Sequence, residues 1–260
     1  MPQLAANLTT MFNEWPFLER FGAAAEAGFK AVEFLFPYDY STQEIARRLT
    51  DNRLTLALFN LPPGDWAAGD RGLAALAGRE EEFRSGIDRA LDYVAATGAK
   101  QVHMMAGIAD RSSAEARTNY RRRIANVTER FGREGVTVLL EPINDRDMPG
   151  YFLNDFGFAA GLIEELALPN LRLQFDVYHR QIMHGDVTVA LRSLMPIIGH
   201  VQVASVPSRN EPASGELNYP FLFNTLDALG YEGFVGCEYM PRAGTLNGLG
   251  WLSSMTAVRQ

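Results

Sequence analysis

The chain has 260 residues but only one cysteine, Cys237, and two lysines, Lys30 and Lys100. A lone thiol cannot build an intrachain disulfide framework. Schiff-base chemistry needs a lysine inside the site, and both lysines stand just ahead of expected strands, on the face away from any strand-end site. No Gly-x-Gly-x-x-Gly follows the first apolar run, so nothing marks a dinucleotide fold. No apolar stretch reaches the length of a membrane span. The opening MPQLAANLTTMFNEWP lacks a basic segment followed by an apolar one, so a cytoplasmic location is expected. A formal net charge of −7 opposes a nucleic-acid partner, which calls for a basic face. A small molecule is the expected partner, and nothing in the sequence excludes a homo-oligomer.

What is present is a large hydrophobic fraction, 47%, in a regular alternation. Short β-rich runs at 4–8, 31–35, 54–60, 101–106, 137–141, 171–176, 200–204 and 234–238 each precede a segment with helical character. STQEIARRL opens with a capping-box pattern, and REEEFRSGIDRALDYVAATG spaces Phe83, Ile87, Leu91 and Val94 at helical intervals before a glycine stop. Parallel strands need crossover helices, and eight such units predict an α/β fold: one (β/α)8 TIM barrel domain over 1–260.

In such a barrel the chemistry sits at the C-terminal strand ends. Each expected strand carries a polar residue there: Asn7, Glu33, Asn60, His103, Glu141, Asp176, Gln202 and Glu238. The last four are three carboxylates and an amide, all hard oxygen donors. Gathered in one mouth, the acids would repel one another and hold their protons more tightly. A divalent metal, Mg2+ or Mn2+, removes that conflict. Cys237 takes the opposite strand phase and is expected to pack against helices. Glu33 is expected to pair with a neighbour rather than ligate. His103 is equally a core histidine or a substrate contact. The Pro/Gly-rich stretch around Trp66 suits a loop over the mouth, and Arg121, Arg122 and Arg123 read as one solvated helix face.

AVEFLFPYDYST, LTLALFNLPPGD, LEPINDRDMPGYFLN, LQFDVYHRQ, IGHVQVASVPSRNEPASGELNY and VGCEYMP together resemble the hydroxypyruvate isomerases and the closely similar 2-oxo-tetronate isomerases, members of the xylose isomerase-like barrels. The resemblance implies metal ligands at Glu141, Asp176, Gln202 and Glu238, with Glu141 and Glu238 also the catalytic acid/base pair. It implies substrate contacts at His179 and Arg209. A small carboxylated hydroxy-carbonyl compound is the implied substrate, and Arg209 offers a planar fork for its carboxylate. The plainer alternative for Arg209 is a loop salt bridge with Glu211 or Glu216. Competing activities are a ketose 3-epimerase acting on free sugars and a non-catalytic small-acid binding protein. A multi-metal repair nuclease would need more than the four histidines present.

Overall fold

The computed structural model describes residues 2–252; residue 1 and residues 253–260, part of the expected 1–260 span, lie outside the described residues. The strands are β1 (Gln3–Asn7), β2 (Ala31–Phe34), β3 (Thr55–Asn60), β4 (Gln101–His103), β5 (Thr137–Leu140), β6 (Leu171–Asp176), β7 (Ile198–Val203) and β8 (Phe234–Cys237). Between them run α1 (Phe17–Glu26), α2 (Thr42–Asp51), α3 (Glu80–Thr97), α4 (Ala114–Gly132) and α5 (Phe156–Leu166). After β6 come α6 (Val177–His184) and α7 (Val187–Leu194), then α8 (Tyr219–Ala228) and, last, α9 (Thr245–Gly248). Every strand pairs in parallel with the next, and β1 pairs with β8 to close the ring. Closure leaves no unpaired edge.

The local signals operate as the sequence predicts. Ser41 and Glu44 exchange both bonds of a capping box at the start of α2. Helix α3 buries Phe83, Ile87 and Val94 and stops at Gly98, whose φ of 71° is left-handed. Two differences have identifiable causes. Strand β4 ends at His103 rather than at 106, because Ala106 leaves the ladder to bridge Gly72 from the β3–α3 loop. One helix is expected after β6, but Gly185 breaks the segment into α6 and α7. Among the described residues, no helix is long and apolar enough to cross a membrane.

The arginine triplet corrects the reading of a uniform solvated face. Three successive helical residues sweep about 200° around the axis, so they need not share one environment. Arg123 turns inward: its side chain is buried, it donates to the Leu73 carbonyl, and it pairs with Glu80 at 3.1 Å. Arg121 and Arg122 remain outside, paired with Glu165 and Glu80.

Apolar side chains fill the layer between barrel and helices, including Cys237, which is fully buried on the phase expected of it. The upper interior is polar. Glu33 accepts from Asn7 Nδ2 at 3.0 Å and Gln202 Nε2 at 2.8 Å, and its other oxygen lies 2.7 Å from His200 Nε2. Three partners are what make a carboxylate at 1% exposure tolerable. Space for it comes from β8, where Gly236 faces inward: a Cβ there would lie 2.3 Å from Glu33 Oε2. Gly236→Ala should therefore lower stability by about 1–3 kcal/mol, read from urea denaturation. An unchanged midpoint would show that the interior absorbs a methyl group.

Candidate active site

Strand alternation delivers the site. Asp176 ends β6 and faces inward; Glu238 follows Cys237 on the inward phase of β8, and Glu141 follows β5. All three carboxylates are buried, at 1%, 8% and 5% exposure. Asp176 also caps α6, its Oδ1 accepting from Tyr178 N at 2.7 Å, so the acid is locked at the start of the helix that carries His179.

Burial dominates the electrostatics. It pushes the Asp176 carboxyl up to about 6, with Arg209 opposing the shift. It pushes Glu238 up to about 8, again against Arg209 and helped by Asp176 and Glu33. Glu141 rises well above the usual carboxylate range, through burial and then through repulsion by Glu238 and Asp176. Arg209 is pulled down by burial, but Glu238, Asp176, Asp147 and Glu141 outweigh this and hold its guanidinium charged.

Arg209 is placed in the mouth, not in a salt bridge with Glu211 or Glu216. Its Nη2 lies 3.0 Å from Glu238 and 3.9 Å from Asp176, its Nη1 lies 3.4 Å from Asp147, and the group sits over Tyr178. The backbone there is left-handed, with φ of 53°, a costly conformation for arginine. Two bonds enforce it: Arg209 N donates to Ser205 O at 2.8 Å, and Met240 N donates to Arg209 O at 2.7 Å.

His179 is held in one tautomer. Asn144 Oδ1 accepts from Asp147 N at 2.9 Å, which turns the Asn144 amide nitrogen toward His179 Nδ1, 2.6 Å away. The Asn144 backbone N–H points at the same atom from 3.4 Å. Nδ1 is thus an acceptor, and the ring proton sits on Nε2, 3.5 Å from Asp176 Oδ2 and 3.9 Å from Glu141 Oε1. Burial holds this ring neutral. His103 is buried with its Nδ1 3.5 Å from Glu141 Oε2, and burial lowers it to about 3. Neither ring nitrogen of His103 has a hydrogen-bond partner among the described residues.

Glu141, Glu238, Asp147, Arg209, His179 and His103 line a cavity of about 350 Å³ that also takes in Asn60, Trp66, Arg71, Ile143, Met148 and Met240. The Trp66 loop does fold over the mouth. Gln202 is not among the residues lining this cavity: its Nε2 donates to Glu33, which turns its carbonyl oxygen away from that acid to accept from Gln174 Nε2 at 2.6 Å. Five residues went unnoticed in the sequence: Gln174, His200, Asn144, Asp147 and Arg71. The first two had an available signal, since Gln174 and His200 share the inward phase of Asp176 and Gln202. Asn144 and Asp147 lie in an irregular segment after β5 and had none.

The donor set suits a divalent cation. Glu141 Oε1 and Asp176 Oδ2 are buried without a hydrogen-bond partner, and ligand atoms of Glu141, Asp176 and His179 all lie within 4.8 Å of one another. Acids whose affinity for protons is raised by burial destabilise the fold as pH climbs from the ordinary carboxylate range, near 4, toward their shifted values. Without metal, stability should therefore fall as pH rises from about 6.5 to 8, above the range in which the buried neutral His103 and His179 work in the opposite direction. Asp176→Asn, which keeps the helix cap, should be more stable than wild type at pH 8 by about 1–3 kcal/mol, and added Mn2+ should stabilise wild type far more than the variant. Thermal denaturation across pH checks both; a metal-free variant less stable than wild type at pH 8 would contradict them.

A family model described as a xylose isomerase-like TIM barrel matches residues 21–255. The chain is 55% identical to a 2-oxo-tetronate isomerase from Cupriavidus necator, over 97% of this chain and 98% of that one. It is 42% identical to a hydroxypyruvate isomerase from Escherichia coli, over 97% and 98%. A crystal structure described as an AP endonuclease, family 2, from Brucella melitensis superposes with a TM-score of 0.95 at 50% identity, covering 98% of this chain and 99% of that one. With the barrel and the strand-end acids already in place, these similarities leave one assignment: the chain belongs to the xylose isomerase-like TIM barrel family, within its hydroxypyruvate and 2-oxo-tetronate isomerase group, and is an isomerase.

Proposed function

We propose that the enzyme, an isomerase of small keto acids, interconverts a 2-oxo-3-hydroxy acid and its isomer. The substrate is hydroxypyruvate, exchanged with tartronate semialdehyde, or a four-carbon 2-oxo-tetronate. The observation that carries this is the pair Glu141 and Glu238, two acids of raised proton affinity that reach one cavity from strands β5 and β8. Their relatives' names support the substrate class.

Glu141, Asp176, Gln202 and Glu238 would hold the divalent metal, Mg2+ or Mn2+. Bound there, the ion would polarise the substrate carbonyl and offset the negative charge that builds on the substrate oxygens. His179 completes the geometric cluster but is better suited to another task. Its protonated Nε2 faces the acids as a donor, and ligation would require the proton to move to Nδ1, against the two Asn144 donors. His179 therefore donates to a substrate oxygen. Glu33, held by His200, orients the Gln202 amide and takes no part as a ligand.

Isomerisation removes a proton from the hydroxyl-bearing carbon beside the carbonyl and returns one to the former carbonyl carbon, while the hydroxyl proton passes to the former carbonyl oxygen. A carboxylate base beside the substrate serves this, and Glu238, which lines the cavity, takes that role once a bound cation has relieved the proton affinity that burial raises in its absence. Arg209 at 3.0 Å and Asn7 at 3.4 Å fix its two oxygens. Glu141 is the complementary acid, and Arg209 and His103 line the remaining walls against the substrate.

Chelation should abolish interconversion of hydroxypyruvate and tartronate semialdehyde, and Mn2+ or Mg2+ should restore it. Glu238→Gln should lower kcat by about 10²–10⁴-fold while still binding metal by calorimetry. Full activity in metal-stripped protein would sink the mechanism. Turnover of fructose or tagatose in preference to both keto acids would point instead to a sugar epimerase. His179→Ala should raise KM by about tenfold, as expected for one lost hydrogen bond to a charged substrate, with metal affinity little changed.

A further inference from the structure

We infer that the substrate's carboxylate is received by Arg71, on the loop between β3 and α3, rather than by Arg209, an inference that rests on the carboxylated substrate proposed above. Arg71 and Arg209 both line the cavity, but their charges are differently committed. Arg209 faces Glu238, Asp147 and Asp176. Arg71 has no carboxylate in ion-pair contact among the described residues. The adjacent Asp70 is occupied by Arg79, at 2.8 and 3.3 Å, and accepts from Asp65 N at 2.8 Å.

Charge balance disfavours placing the anion among the acids. Glu141, Asp147, Asp176 and Glu238 carry four negative charges when ionised; Arg209 and a divalent cation supply three positive ones. The centre is left one unit negative, and a substrate carboxylate there would add a second. Arg71 supplies a positive charge at the rim of the same cavity.

The geometry of Arg71 fits the task. Its Nη1 donates to the Trp66 and Asp70 carbonyls at 3.0 and 2.7 Å, and its guanidinium carbon sits 3.9 Å from the Trp66 ring centroid. One nitrogen is thereby spent on holding the plane in position. Nε and Nη2 donate to nothing among the described residues, and together they form the planar edge that meets a carboxylate in two parallel bonds. The support is rigid. Gly72, with φ of 107°, packs so closely that a Cβ would lie 2.4 Å from the Met105 carbonyl, and its N–H donates to Pro63 O at 2.8 Å. Gly72 also bridges Ala106 just past β4, tying the loop to the barrel wall beside His103. Trp66 completes the platform by packing on Phe36 with ring centroids 5.2 Å apart. A guanidinium stacked on an indole and anchored by backbone carbonyls loses little further freedom on binding.

The test uses Mn2+-loaded protein and D-glycerate, an unreactive three-carbon hydroxy acid, titrated calorimetrically into wild type, Arg71→Met and Arg71→Lys. Arg71→Met should weaken glycerate binding by about 10–100-fold and raise the KM for hydroxypyruvate by a similar factor, with kcat changing much less. Arg71→Lys keeps the charge without the fork and should fall between the two proteins; it carries the test alone if Arg71→Met does not fold. Glycerate affinity within about twofold of wild type in a folded variant would overturn the assignment. If wild type binds glycerate through Arg71 yet turns over neither keto acid, the proposed activity fails and the carboxylate subsite stands. If turnover is normal and the Arg71 variants bind glycerate as wild type does, only the subsite fails.

Discussion

Three carboxylates held together out of water, against a single guanidinium, are the constraint on which this structure turns. Burial and mutual repulsion raise the proton affinity of Glu141, Asp176 and Glu238, and Arg209 offsets only part of the cost. The surroundings make sense as responses to that conflict. Arg209 is kept in a left-handed backbone conformation by two hydrogen bonds so that its fork lies across Glu238 and Asp147. Asn7 and the α6 cap each fix one carboxylate, and the neutral His179 adds a donor without adding an ion.

Beneath the mouth a second polar layer fixes orientation rather than chemistry. Glu33, His200, Gln202 and Gln174 form a continuous chain of hydrogen bonds, closed in by the bare backbone of Gly236. A glutamine amide is free to turn end for end, and a bond from its nitrogen to a carboxylate removes that freedom. Stability is given up at the mouth, as expected where apolar replacements of buried acids would fold better.

Much of this was legible in the sequence because it follows from short-range periodicity. The alternation of β-rich runs with helical segments located the barrel, and the two-residue period of a strand placed Glu238 inward and Cys237 outward. Asp176 stood out as a charge ending an apolar run, and the caps at Ser41 and Gly98 needed only local backbone chemistry. What escaped depends on contacts far apart in the chain. Asp147 matters through Arg209, sixty-two residues away, and Arg71 through the Gly72–Ala106 bridge, which no local pattern announces. Arg123 was misplaced because a run of like charges looks solvated until a neighbouring helix is docked against it. His200 could have been found: it shares the inward phase of Gln202, but one step below the strand end where attention falls.

The central claim is that the raised proton affinity of these acids is relieved by a divalent cation. Calorimetric titration of Mn2+ into metal-free protein at pH 7, repeated in buffers of different ionisation enthalpy, measures the protons released as the ion binds. With Glu238 pushed up to about 8 and Glu141 also raised, the account predicts saturable binding at one site with release of one or more protons. Binding with no proton release, or no binding at all, would contradict it.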